Sequence, residues 1–179
     1  LGLALNEGLK HCQHDVVARM DSDDICMPQR FEKQLSYLQT HPEVDVVGAW
    51  VAEFATTPTQ IISVRCVPEI HQAIRKFARF RNPMNHPTVM FRKAKVVQAG
   101  GYRHMPAFED YDLWVRMLQQ GACFHNLQEC LLWFRLNANT FRRRGGVNYI
   151  AAEMHFQKGL VRLRFLTSIQ AFGNMMMRL

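Results

Sequence analysis

Apolar residues recur along this chain at two periods, one helical and one of strands, and the alternation between them predicts most of its elements. In LGLALNEGLKHC, Leu1, Leu5 and Leu9 share one helical face, so residues 1–13 are expected to form an amphipathic helix. A helix of that kind usually follows something it packs against, which leads us to expect a further N-terminal segment. DVVARM then reads as a short buried strand, carrying Val16, Val17 and Met20 inward and ending in a loop with Asp21, Asp23 and Asp24. Pro28 fits the first turn of a helix over about 28–40, and Pro42 disfavours helix at His41. VDVVGAWVAEF and QIISVRC read as strands on either side of the polar turn ATTPTQ, followed by a helix over about 69–80 that is basic on its exposed side.

NHPTVMFRKAKVVQAGGY predicts a short strand and a helix around 92–99, stopped by Gly100-Gly101. AFEDYDLWVRMLQQG predicts a helix with acidic residues at its start, apolar surface from Leu113, Val115, Met117 and Leu118, and Gly121 at its end. ACFHN and ECLLWFRL look like two strands, NTFRRRGG like a basic loop, and residues 147–172 like one long helix. Strands alternating with helices favour an α/β layer architecture.

Composition narrows the class. With 179 residues and 48% hydrophobic positions the chain can bury a real core. It has no apolar run of about 18 residues and no signal-peptide pattern, so it reads as a cytosolic protein. Five cysteines, with no C-x-x-C pair, argue against a disulfide framework or zinc knuckle and for reduced, mostly buried thiols. The net charge of +7 sits in residues 135–179, where eight Lys/Arg face only Glu153. That points to a phosphate-bearing ligand or acidic lipid near the C-terminus rather than to nucleic acid.

Three aspartates within four positions repel one another and resist burial, so something must offset them. A solvated turn with a helix-capping Asp is one account. An EF-hand places Ile25 at loop position 5 and Cys26 where its sharp turn needs Gly, so that loop would not close. A phosphatase with an aspartyl nucleophile needs a downstream Thr/Ser-Lys set that the chain does not offer. The third account is a divalent cation site for a phosphorylated ligand, with carboxylates and a diphosphate supplying oxygen ligands.

The segment ARMDSDDICMPQRFEKQLSYLQTHPEVDVVGAW resembles the central part of family 2 glycosyltransferases. ALNEGL resembles the helix before that family's metal strand, and NHPTVMFRKAKVVQAGGY with FEDYDLWVRML resembles its acceptor-side segment and Glu-Asp motif. The likeness runs over residues 1 to about 136, in the family's order and spacing. It implies an N-terminally incomplete GT-A-like mixed sheet flanked by helices, with residues 1–140 as a partial catalytic domain and residues 141–179 as a basic loop and amphipathic helix. It further implies that Asp21-Ser22-Asp23 is the D-x-D motif, with Asp23 and Asp24 ligating Mn²⁺ or Mg²⁺ and Asp21 facing the nucleotide ribose or the metal's water shell. Asp110, with Glu109 beside it, would be the base of an inverting transfer from a nucleotide-diphosphate sugar, UDP-linked above all, to a glycan or lipid-linked acceptor.

Elementary chemistry asks for the same two carboxylate sites. An alcohol needs its proton taken during attack, and a leaving diphosphate needs its charge neutralised. Helix capping remains an alternative for Glu109 and Asp110, shared with Asp112. Trp114 is either core or a sugar platform, and His86 either approaches the acceptor or is satisfied by backbone.

Arg135 and the Arg142–Arg144 run suit diphosphate oxygens, with a solvated charge run as the alternative for the arginine run. Asn137 stands where many relatives carry a histidine. The C-terminal helix would contact a membrane peripherally or pack on the catalytic body. The rival reading for the whole chain is a non-catalytic, transferase-like module that binds a glycan, a partner or an acidic membrane.

Overall fold

The computed structural model describes residues 1–136 and 146–177. Six strands form one sheet, ordered β1 (Val16–Ala18), β5 (Met90–Arg92), β3 (Val46–Phe54), β6 (Phe124–Arg135) and β2 (Ile25–Cys26), with β4 (Ile61–Arg65) paired to the C-terminal half of β3. The central β3–β6 pair is parallel and the other pairs are antiparallel, which makes the sheet mixed. Val46, Val47, Ala49 and Val51 have no solvent exposure, as expected for a central strand covered on both faces. Seven α-helices are described: α1 (Gly2–His11), α2 (Arg30–Thr40), α3 (His71–Phe77), α4 (Lys93–Gln98), α5 (Glu109–Gln119), α6 (Val147–Arg162) and α7 (Ser168–Met176).

The structure departs from the sequence pattern in several places. ACFHN and ECLLWFRL belong to one strand, because β3 is long enough to template all of β6 across a register shift at Ala49–Val51. The long C-terminal helix is two. Arg164 takes a left-handed φ of 56°, Phe165 and Leu166 turn into the core, and Thr167 restarts the helix in a capping box with Gln170. Met20 is exposed and Val16 and Val17 only half-buried, so the strand before the aspartates skims the body. None of the five thiols is fully buried, and Cys66 is exposed.

Helices α6 and α7 share the main core, to which Phe156, Leu160, Phe165, Leu166 and Ala171 contribute together with Trp114 and Tyr111 of α5. In α1, Leu9 is buried and Leu5 packs against that core, while Leu1 is exposed.

Two close approaches fix the elements that carry polar chemistry. Gly48 of β3 lies against Asn126, whose Nδ2 donates to the carbonyls of Pro68 (2.7 Å) and Pro83 (3.2 Å); a Cβ at Gly48 would come within 2.3 Å of Asn126 Oδ1. The segment before β5 is thereby held to the sheet. Gly101, with a φ of 64°, lets Asn6 of α1 bond both the N–H and the C=O of Tyr102, at 2.8 and 2.7 Å.

Candidate active site

The acidic loop joins β1 to β2. Pairing of β2 with the end of β6 brings that loop beside Arg135. Asp24 is buried, and its Oδ1 accepts the backbone N–H of Arg135 at 3.0 Å, while Arg135 Nε donates to the carbonyl of Asp23 at 3.0 Å. The same guanidinium lies 4.7 Å over the ring of Phe54. Arg135 therefore clamps the loop from the end of β6.

Just after β1, Arg19 is buried and grips Asp21 with two parallel hydrogen bonds, Nη1 to Oδ2 at 3.0 Å and Nη2 to Oδ1 at 2.5 Å. Arg30, with no exposure, bonds the carbonyl of Arg19 at 2.7 Å and Gln34 Oε1 at 3.0 Å; Gln34 in turn bonds the carbonyl of Thr88 at 2.8 Å. Helix α2 thus ties the start of the acidic loop to the short 3₁₀ turn His86–Thr88. A buried cation is costly, and the carbonyls it meets offset that cost.

The second carboxylate cluster begins α5. Phe108, just before it, has a left-handed φ of 67°, a conformation costing a non-glycine residue about 1–2 kcal/mol. Its ring stacks on Phe156 of α6 at 4.9 Å, and that packing holds the turn. The turn presents Asp110, whose Oδ2 accepts Asn82 Nδ2 at 2.6 Å and whose Oδ1 accepts the N–H of Tyr111 at 2.8 Å. His86 Nδ1 stands 3.9 Å from Asp110, and its Nε2 meets the Tyr102 hydroxyl at 3.0 Å. His86 is satisfied by this hydroxyl and not by backbone.

The electrostatics follow from burial. Burial, and then the charge of Glu109, raises the Asp110 carboxyl to about 6, against the lowering pull of Asn82, the Tyr111 N–H and Arg19. Burial, with the charge of Arg19, holds His86 well below its ordinary range and so neutral. Burial likewise pushes the Tyr102 hydroxyl up. Asp24 is raised to about 6 by burial and by Asp21 and Asp23, while the Arg135 N–H and the Arg19 charge act the other way. Arg19 is the cation common to both carboxylate clusters.

Both clusters face one cavity of about 1080 Å³. Asp21, Ser22 and Asp23 line it with Arg19 and Arg135, and Glu109, Asp110, Asn82 and His86 line it from α5 and the 3₁₀ turn. Of the residues singled out in the sequence, Asp21, Asp23, Asp110, Glu109, Arg135 and His86 are brought together there. Asp24 is buried beneath the loop, Trp114 is core, and Asp112 bonds Arg116 at 2.8 Å instead of capping α5. Asn137 and the Arg142–Arg144 run lie outside the described residues. Arg19, Asn82 and Tyr102 were missed. Arg19 had a signal, a cation two positions before the first aspartate; Asn82 and Tyr102 are 28 and 8 positions from Asp110, and only folding joins them to it.

The residues fit a hard divalent cation through oxygen donors. Asp23 is exposed at the cavity, and Asp24 Oδ2 is buried with no hydrogen-bond partner among the described residues. No group of three or more His, Cys, Asp or Glu that could hold a metal ion is found among the described residues, so Asp23 and Asp24 would supply only part of a ligand set.

Comparison with known proteins gives a consistent result. The model of glycosyl transferase family 2 matches residues 1–100. The amylovoran biosynthesis glycosyltransferase AmsE of Erwinia amylovora is 46% identical over 88% of this chain and 59% of its own length. The UDP-Gal:alpha-D-GlcNAc-diphosphoundecaprenol beta-1,3-galactosyltransferase of Escherichia coli is 37% identical over 93% of this chain and 60% of its own length. The chain thus spans about 60% of the length of these curated relatives. Among solved structures, S. aureus TarS 1-349 in complex with UDP-GlcNAc superposes with a TM-score of 0.66 at 14% identity, covering 90% of this chain and 47% of that one, a likeness of fold.

Proposed function

The chain belongs to glycosyl transferase family 2, and on that premise we propose that it carries the acceptor side and the metal loop of an inverting transferase. The donor is a UDP-sugar and the acceptor a hydroxyl of a lipid-linked or polysaccharide glycan. The observation that carries this reading is the convergence of the Asp21–Asp23 loop and the Glu109–Asp110 turn on one cavity.

In the proposed reaction Asp110 takes the proton of the acceptor hydroxyl as its oxygen attacks the anomeric carbon, and the bond from that carbon to the diphosphate breaks on the opposite side. Asn82 fixes the Asp110 carboxylate, and neutral His86 donates or accepts a hydrogen bond without competing for the proton. Arg19 holds Asp21 toward the nucleotide, and Arg135 faces the diphosphate as a fixed charge. Asp23, with Asp24 Oδ2, which has no hydrogen-bond partner among the described residues, would hold Mn²⁺ or Mg²⁺ against the donor diphosphate. The ion's contribution is to neutralise the charge that grows on the departing nucleotide. Two names support the substrate classes: the E. coli relative uses UDP-Gal and a diphosphoundecaprenol-linked sugar, and TarS was crystallised with UDP-GlcNAc.

The test is transfer of labelled sugar from a panel of UDP-sugars to a diphosphoprenyl-linked acceptor in the presence of Mn²⁺, with product stereochemistry read by NMR. Inorganic phosphate released without an acceptor would indicate a phosphatase instead. Metal-dependent UDP binding without transfer to any glycan acceptor would favour the binding-module reading.

Asn82 offers a sharper check on the base. Replacing Asn82 by Ala removes a hydrogen bond that favours the ionised carboxylate, so the acid limb of kcat/KM should move up by about 1 pH unit from its place near 6. The KM for the donor should hardly change. A limb that stays where it was would leave Asn82 with a structural role only.

A further inference from the structure

Helix α7, SIQAFGNMM, contains no charged residue. Ala171 and Asn174 face inward, while Ile169 (85% exposed), Phe172 (63%) and Met176 (53%), followed by Met177 (70%), lie on the outer face. Single exposed apolar residues are ordinary; three on one short helix, at i, i+3 and i+7 of one face, with Met177 just beyond its end, are a surface. Its position is fixed, because Asn174 Nδ2 donates to the carbonyl of Arg79 at 2.7 Å.

That bond sets α7 beside the end of α3 and the turn after it, where Arg75, Lys76, Arg79 and Arg81 are all exposed. Arg162 and Arg164, also exposed, flank its other end. Helices α3, α6 and α7 hold one acid between them, Glu153, which is buried and bonded to Gln157. Arg81 also lines the cavity, so this basic-rimmed apolar face borders the mouth of the site.

We propose that the outer face of α7 and the Arg75–Arg81 segment form a docking surface for an anionic bilayer, with Ile169, Phe172 and Met176 entering the interface and the basic rim meeting lipid phosphates. The charge pattern selects this occupant. Two copies joined through α7 would bring like-charged rims together with no exposed acid on these helices to pair them, whereas anionic headgroups complement both the apolar centre and the rim. This deepens the proposed reading by naming where a lipid-linked acceptor would meet the cavity, yet docking is measured without turnover. Transfer can fail while docking stands, and the reverse.

The experiment is co-sedimentation of the full chain with vesicles of phosphatidylcholine alone or mixed in equal parts with phosphatidylglycerol. Binding is expected to the mixed vesicles and to weaken as salt is raised. Joint Ile169→Ser and Phe172→Ser replacement should reduce it about tenfold or more, and Lys76→Gln or Arg79→Gln about fivefold each. All four side chains are exposed, and unchanged circular dichroism and UDP binding verify the fold of each variant. Equal binding to pure phosphatidylcholine, or variants that bind as the parent does, would overturn the proposal. So would light scattering showing a dimer that the Phe172→Ser change dissolves, with no vesicle binding.

Discussion

Asp110→Asn should lower kcat by about 10³-fold in the full chain while leaving Mn²⁺-dependent UDP binding largely intact. The carboxylate lines the cavity and is the base of the proposed reaction, and removal of a positioned general base costs roughly 10²–10⁴-fold. Asparagine keeps the size of the side chain, so the cavity persists. The parent chain adds a pH signature. In the proposed role Asp110 acts when ionised, and its carboxyl is raised to about 6, so kcat/KM should climb with pH through that value and level off above it. Burial is the first cause of that raised value and the charge of Glu109 the second, so Glu109→Gln should shift the limb toward acid. Transfer at near parental rate in Asp110→Asn would remove Asp110 from the role of base. Loss of UDP binding alongside transfer would mean that the substitution had disturbed the cavity itself.

How much of this was readable in the sequence depends on how local each cause is. Strands β1, β3, β4 and β5 and most helices follow from short-range periodicity, whereas β2 lay in what reads as the acidic loop; the Gly100-Gly101 stop was visible because both glycines take the left-handed φ that ends a helix. The split between α6 and α7 was also written locally, in T-S-I-Q, a capping box hidden inside an apolar run. The continuity of β6 was not local, since its middle is a strand only because β3 lies beside it.

The site divides in the same way. Its carboxylates are recognisable by type and order, and they meet at one cavity. The environment that sets their chemistry comes from distant residues. Arg30 reaches Arg19 across eleven positions and Gln34 reaches Thr88 across fifty-four, and Asn6 fixes Tyr102 from ninety-six positions away. Asp24 shows the limit most clearly: it stands beside Asp23 in the chain, yet one is exposed at the cavity and the other buried under it.

That burial makes the last prediction one of stability. Asp24→Asn should raise the Tm by about 3–8 °C at pH 8 in the presence of a chelator. The carboxyl moves from 3.8 to about 6 on folding, so keeping it ionised in the native state costs on the order of 1–3 kcal/mol, and about 2–4 °C accompanies each kcal/mol in a chain of this size. The sign follows from proton counting. Between about pH 4 and 6 the native state holds a proton that the unfolded state has released, so parental stability falls as pH rises across that window. The variant carries no such group; the gap therefore opens through the window and closes below it. A Tm at or below the parental value at pH 8 would show that Asp24 is not an electrostatic burden. Adding Mn²⁺ and UDP then separates its two possible uses. If Oδ2 of Asp24, without a hydrogen-bond partner among the described residues, faces the cation, the parent gains more stability than the variant and the gap narrows. If both gain equally, Asp23 is the protein's ligand, and Asp24 serves to anchor the loop through the backbone N–H of Arg135.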